Sequence, residues 1–305
     1  MLFSKLTPAE PDAPVAEERP ASTQEHHHHL EDFVESPSPQ RLLLPASLFL
    51  LTCMSTYSVG QSQFGGGWQY MLAVMGILVT HEAGHFFQAL RHGIPATLPY
   101  FIPLPYFTGT MGAVIVQGSN ANRRQLFDIG ITGPLAGLVV AVPVVCLGVI
   151  NADVAAPPPG AVVQHYGDPL LVELLIVWLR PELAPGTELV LNPLLMAGWF
   201  GLLLTGLNML PLSQLDGGHV TYALFGKNAH LLARGLAIFA IGYMVATDQY
   251  QWFLMLILVL LIGLDHPPTT DDEVPLGFTR CAIGLASLLI PVLCFHPTPI
   301  AMVLT

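Results

Sequence analysis

Val79-Thr80-His81-Glu82-Ala83-Gly84-His85-Phe86 reads H-E-x-x-H inside an apolar run. Positions four apart share one face of a helix, so His81 and His85 can present two imidazole nitrogens to one metal ion. Glu82 lies one step around the helix, within reach of a water held by that metal. Two histidine ligands with an adjoining carboxylate base form the pattern with which zinc proteases cut peptide bonds. The setting is unusual. Tyr70 to Leu90 is otherwise nearly uncharged and long enough to cross a bilayer. Two histidines and a glutamate are costly there unless they serve a function.

The composition points the same way. Of 305 residues, 52 % are hydrophobic and only 10 % charged, against about 25 % charged in a soluble domain. That deficit, with repeated apolar runs, predicts an all-α polytopic membrane protein of six to seven transmembrane helices. The formal net charge of −11 owes much to residues 1–40, where Glu10, Asp12, Glu17, Glu18, Glu25, Glu31, Asp32 and Glu35 face only Lys5 and Arg19. Residues 1–41, rich in proline and poor in apolar side chains, are expected to be a disordered, acidic cytoplasmic tail. The tail shows no basic start followed by an apolar stretch, and its acidity argues against an organelle transit peptide. Both features favour a bacterial cytoplasmic membrane. Nothing suggests a nucleic-acid partner. The run His26–His29 reads as a polar stretch without function. Cys53, Cys146, Cys281 and Cys294 are scattered and read as small apolar residues.

Outward from the motif, residues 42–264 are expected to form the core and 265–305 a linker with a final transmembrane helix. The first span is expected over about 42–59, then a glycine-rich turn at Gly60 to Gly67. The motif span, 68–90, stops at Arg91-His92-Gly93. Residues 94–118 are apolar but broken by Pro95, Pro99, Pro103 and Pro105. They read as a re-entrant loop containing a short β segment at Ala113–Val116. A third span covers 126–150, and 151–193 form an outer loop with a short helix near 170–179. Asn192-Pro193 starts a fourth span over 194–212. A hairpin of 229–246 and 250–264 turns at Thr247-Asp248-Gln249. The linker at 265–276 leads to the last span, 278–295. With the N-terminus in the cytoplasm and seven spans, Arg91, Arg123, Arg124, Lys227, Arg234 and Arg280 all face the cytoplasm and only Arg180 lies outside, as the positive-inside rule requires.

Two histidines leave zinc one protein ligand short. Asp216 is the best third candidate. It is read as ending the fourth span at the motif's depth, and Gly217-Gly218 after it let the backbone come close. Asp128 is the rival, though it looks like a helix-start residue. His165 falls on the wrong side. His92, His219, His230 and His266 are on the right side and read as structural.

These motifs resemble the site-2 protease family of intramembrane zinc metalloproteases. His81-Glu-Ala-Gly-His85 matches its first motif, and Asn208-x-x-Pro211-x-x-x-Leu215-Asp216-Gly217 its second. Met111-Gly-Ala-Val-Ile, Arg123-x-x-Leu126-Phe127-Asp128-Ile129-Gly130 and Gly133-Pro-Leu-Ala-Gly137 are similar to the branch of chloroplast members named for yellow-green, gravitropism-deficient plants. The chain has no room for the PDZ domain of the bacterial stress-response members. The resemblance implies one Zn2+ per chain held by His81, His85 and Asp216, with Glu82 as base. It also implies a substrate-binding role for Asn208 and for a strand of Gly112, Ala113, Val114, Ile115 and Val116 that pairs with unwound substrate. The function implied is cleavage of single-span or other membrane-anchored proteins near the cytoplasmic face. The alternative is a non-catalytic, protease-like membrane escort protein.

Overall fold

The computed structural model describes residues 39–116, 120–155, 160, 162–183, 187 and 189–304. The tail up to residue 38, including His26–His29, lies outside the described residues, as do 117–119 and parts of the outer loop. The chain is mostly helical. In order it forms α1 (Pro39–Phe64), α2 (Gly67–Arg91), β1 (Tyr100–Pro103), β2 (Thr110–Val114), α3 (Arg123–Ile150), β3 (Val162–Tyr166), α4 (Leu170–Leu179) and α5 (Pro193–Asn208). Then follow α6 (Asp216–Phe225), α7 (Ala229–Thr247), α8 (Phe253–Ile262), α9 (Phe278–Ser287), α10 (Ile290–Cys294) and β4 (Ile300–Leu304).

Among the described residues, three helical runs are long and apolar enough to cross a membrane: Leu42–Phe64, Arg123–Ile150 and Asp216–Thr247. Four others are apolar but shorter: Leu170–Leu179, Pro193–Asn208, Tyr250–Ile262 and Phe278–Cys294. Three runs, and not six or seven, therefore meet both conditions. The motif helix α2 has 25 residues, roughly 37 Å at the usual rise. Its length suffices, but Gln69, Thr80, His81, Glu82, His85 and Gln88 dilute its apolar content.

Other boundaries shift for identifiable reasons. The first helix continues through Gly60 to Phe64, and the turn shrinks to Gly65-Gly66, with Gly65 at φ +66°. The last helix breaks after Ser287, where Pro291 has no N–H to return to the Ser287 carbonyl. The turn at Asp248 forms as expected, in the left-handed conformation. The segment expected to be re-entrant contains a two-stranded antiparallel hairpin, with Tyr100 opposite Val114 and Phe101 opposite Ala113. Its second strand starts at Thr110, three residues earlier than expected. Ile115 and Val116 continue past it, and the Thr97 N–H donates to the Val116 carbonyl. The hairpin tip is pinned to the motif helix, since the Tyr70 hydroxyl donates to the Thr108 carbonyl at 2.9 Å.

The short helix expected near 170–179 falls at Leu170–Leu179. Strand β3 beside it pairs antiparallel with β4 near the C-terminus, Val162 opposite Leu304 through Tyr166 opposite Ile300. Sequence reading gave no hint of this pairing, because the two strands are remote in the chain.

Helix α3 is the hub, packed against α2, α5 and α6. Apolar side chains gain little from leaving lipid for protein, so close backbone approach at small residues and interhelical hydrogen bonds carry the association. A Cβ on Gly84 would sit 2.9 Å from the Gly133 Cα, and the Thr132 hydroxyl donates to the Gly84 carbonyl at 3.0 Å. The Asn192 amide, which also caps α5 through its oxygen, donates to the Gly148 carbonyl at 2.8 Å.

Side-chain ties define two ends of the bundle. At one end Arg123 donates to the Ala223 and Leu224 carbonyls, Arg124 to that of Pro275, and Arg280 to both oxygens of Asp128. The linker is anchored there, with the Tyr222 and Thr269 hydroxyls donating to the Asp272 carboxylate; the Thr269 bond in particular holds that carboxyl below its usual range. At the other end lie β3 and β4, the Trp252–Pro297 bond, and Arg180, which donates to the Val149 and Ala152 carbonyls closing α3.

Candidate active site

Helix α2 brings His81, Glu82 and His85 into the interior, each at most 6 % exposed. The His81 and His85 Nε2 atoms face each other at 3.2 Å. His85 Nδ1 donates to the Ile129 carbonyl at 2.8 Å. That bond fixes the tautomer and leaves the Nε2 lone pair free, the usual outer support of a metal-ligating histidine. Room for both rings comes from α3. A Cβ on Gly137 would lie 3.1 Å from His81 Nδ1, and one on Gly133 would fall inside the His85 ring contact. The Gly133–Gly137 pair, part of the family resemblance, is therefore what admits the two imidazoles.

Asp216 does not end the fourth span. Helix α5 stops at Asn208, residues 209–215 turn, and Asp216 is the first residue of α6. A carboxylate in a first helical turn also suits the positive end of the helix dipole. The two glycines act as expected. A Cβ on Gly217 would meet the Leu210 carbonyl oxygen at 2.5 Å and one on Gly218 that of Leu212 at 2.7 Å. Asp216 Oδ2 lies 3.2 Å from His81 Nε2 and Oδ1 3.4 Å from His85 Nε2.

The three side chains offer ligand atoms all within 4.8 Å of one another, the one such group among the described residues. Tetrahedral zinc with bonds of about 2.0–2.1 Å sets its ligand atoms about 3.3–3.4 Å apart. The separations found, and a donor set of two imidazoles and one carboxylate, fit that ion. Three protein ligands converge among the described residues, which is the catalytic pattern with a position left for substrate or water.

The ligands open into a cavity of about 580 Å³. Glu82 lines it and has no hydrogen-bond partner among the described residues. Asn208, the last residue of α5, also lines it, as do Ala113, Val114 and Ile115. Gly112 and Val116, expected with them, are not in the lining. Gly112 is buried, with its N–H turned to the Thr110 hydroxyl at 3.0 Å.

Asp128, the rival ligand, is committed elsewhere. It accepts two bonds from Arg280, at 2.7 and 2.9 Å, and lies 3.1 Å from His92. His165 sits in β3, opposite Ala301. His219 was read as structural, yet it lines the cavity, and so does His266. The signal lies in its spacing, three residues from Asp216. Once Asp216 opens a helix, position 219 shares its face.

The sequence profile of "Peptidase family M50" matches residues 69–246. The "Probable zinc metalloprotease EGY2, chloroplastic" of Oryza sativa subsp. indica is 28 % identical over 236 residues, 75 % of this chain and 42 % of that protein. The "Probable zinc metalloprotease EGY1, chloroplastic" of Arabidopsis thaliana is 30 % identical over 226 residues, 71 % of this chain and 40 % of that protein. The "Probable zinc metallopeptidase EGY3, chloroplastic" of Arabidopsis thaliana is 24 % identical over 253 residues, 77 % and 42 % of the two chains. The chain thus spans about two fifths of the length of these curated relatives. They are chloroplast proteins, so the likeness lends no support to a bacterial membrane.

Proposed function

Because the chain belongs to peptidase family M50, we propose that it is a zinc endopeptidase that hydrolyses peptide bonds of membrane-anchored proteins. His81, His85 and Asp216 hold the metal in this reading, and Glu82 is the general base. The observation that carries it is the convergence of those three ligands at 3.2–3.4 Å beside the Glu82 carboxylate, which has no hydrogen-bond partner among the described residues, in one cavity.

Zinc, when bound there, supplies the Lewis acidity that polarises a carbonyl and acidifies water. The protein supplies the rest. Glu82 takes the proton from the attacking water and returns it to the leaving amine. The His85–Ile129 bond keeps Nε2 aimed at the ion. Asn208 offers an amide to the substrate backbone from the cavity wall.

A transmembrane helix satisfies its peptide groups internally and hides its scissile bond, so substrate has to unwind first. Strand β2 has a partner on one side only among the described residues, β1. Its Ala113–Ile115 region lines the cavity, and an exposed edge of this kind accepts an added strand.

Orientation follows from the charges. The end of the bundle that gathers Arg91, Arg123, Arg124 and Arg280 is read as cytoplasmic, with Arg180 at the opposite end. His81 lies ten residues before Arg91 on α2, roughly 15 Å in from that end. Cleavage is then expected in the cytoplasmic half of the substrate's span.

Metal removal tests the reading. A chelator is expected to stop cleavage of a single-span test substrate in detergent, and added zinc, but not magnesium, to restore it. Cleavage persisting in protein proved free of metal would refute the proposal.

A further inference from the structure

The protonation pattern of a histidine pair at the cavity follows from its partners. His266 Nδ1 lies 2.6 Å from the Pro267 carbonyl oxygen, which can only accept. His266 therefore carries its proton on Nδ1, and burial pushes its imidazole below the usual range, which keeps it neutral. Its Nε2 is then a lone pair, 2.7 Å from His219 Nδ1, so His219 donates from Nδ1. That leaves the lone pair of His219 on Nε2. This nitrogen has no hydrogen-bond partner among the described residues, yet it is not sealed off like the Ser55 hydroxyl. His219 lines the same cavity as His81, Glu82 and Asp216.

The pair is held from several sides. The Tyr222 ring stacks on His266 with centroids 4.5 Å apart, and His230 Nε2 donates to the His266 carbonyl at 3.1 Å. Behind His219, a Cβ on Gly130 of α3 would sit 2.9 Å from the His219 Cβ. A pair that only braced the linker would need no accessible nitrogen on a residue that lines the catalytic cavity.

We propose that His219 is a substrate-binding residue whose Nε2 accepts a backbone N–H of the unwound peptide, and that His266 is the positioning residue that sets its tautomer. This rests on the peptidase reading above. An unwound segment exposes N–H groups that its helix had satisfied, and each one left unpaired in a water-poor cavity weakens binding. A neutral imidazole accepts one of them without adding a charge beside the metal.

Binding is best measured in the Glu82→Gln background, which holds substrate without cutting it, using a fluorescent single-span peptide in detergent. His219→Phe keeps a ring and removes the acceptor. Its Kd is expected to rise about 10- to 100-fold, the size of one buried hydrogen bond left unmade. His219→Gln, whose Oε1 reaches about as far as Nε2, is expected to stay within about 3-fold. His266→Ala should weaken binding less than His219→Phe and add nothing to it. Zinc content and the unfolding midpoint are checked for each variant, and His219→Ala replaces the Phe variant if that one does not fold. Unchanged affinity in the acceptor-less variant, or an equal loss in the Gln variant, would overturn the proposal. Failure of the wild-type chain to cleave would instead count against the peptidase reading and leave this binding comparison intact.

Discussion

Glu82→Gln is expected to lower kcat by about 10²- to 10⁴-fold, the usual worth of a positioned general base, while zinc stays bound. Glu82 is not in the ligand set. The metal-facing atoms belong to His81, His85 and Asp216, and the isosteric amide disturbs none of their contacts. An amide cannot take a proton from water at neutral pH, so the loss should fall on kcat and leave KM nearly unchanged. Single-turnover cleavage of a single-span substrate, with metal analysis of the same samples, checks this. Wild-type turnover in the variant would remove Glu82 from the chemistry.

Gly133→Ala is expected to be the most damaging small substitution in α3. The added Cβ falls inside the His85 ring contact, and that ring is already fixed on its other side by the Ile129 carbonyl. Neither ring nor backbone can give way cheaply, and overpacking of this kind costs about 1–3 kcal/mol. If that cost falls on the metal-competent geometry, zinc affinity drops by about 5- to 150-fold. Gly137→Ala, whose Cβ would lie 3.1 Å from His81 Nδ1, should cost clearly less. Competitive zinc titration of the two variants checks the order. Equal affinities, or the reverse order, would mean that the α2–α3 contact does not shape the site.

Much of this was legible in the sequence because the chemistry demands particular residues at particular spacings. The i, i+4 histidines had one geometric meaning on a helix, and the structure places their Nε2 atoms 3.2 Å apart. Asp216 was found by residue type and depth, but its local structure was misread. Asn208-x-x-Pro211 looked like the tail of one helix, whereas a turn at Ser213, with φ 50°, starts a new one. The three-residue spacing of His219 from Asp216 places it on the ligand's face only because Asp216 begins a helix.

The number of long apolar helices differs from the number of expected spans for a different reason. Helix α2 carries polar groups that the surrounding helices shelter, and apolarity along the sequence does not register shelter. Helix α5 is short because it lies inside the bundle, with Met196, Trp199 and Leu202 at most 1 % exposed. The β3–β4 pairing was invisible because register between distant strands is a tertiary property.

The central claim is a zinc ion held by His81, His85 and Asp216 and put to work by Glu82. Its most direct test is metal content measured beside cleavage of one single-span substrate, for wild type, Glu82→Gln and Asp216→Ala purified in parallel. The account predicts one zinc per chain in the first two, a clear deficit in Asp216→Ala, and cleavage by the wild type alone. Full zinc occupancy in Asp216→Ala, or cleavage by Glu82→Gln, would contradict it.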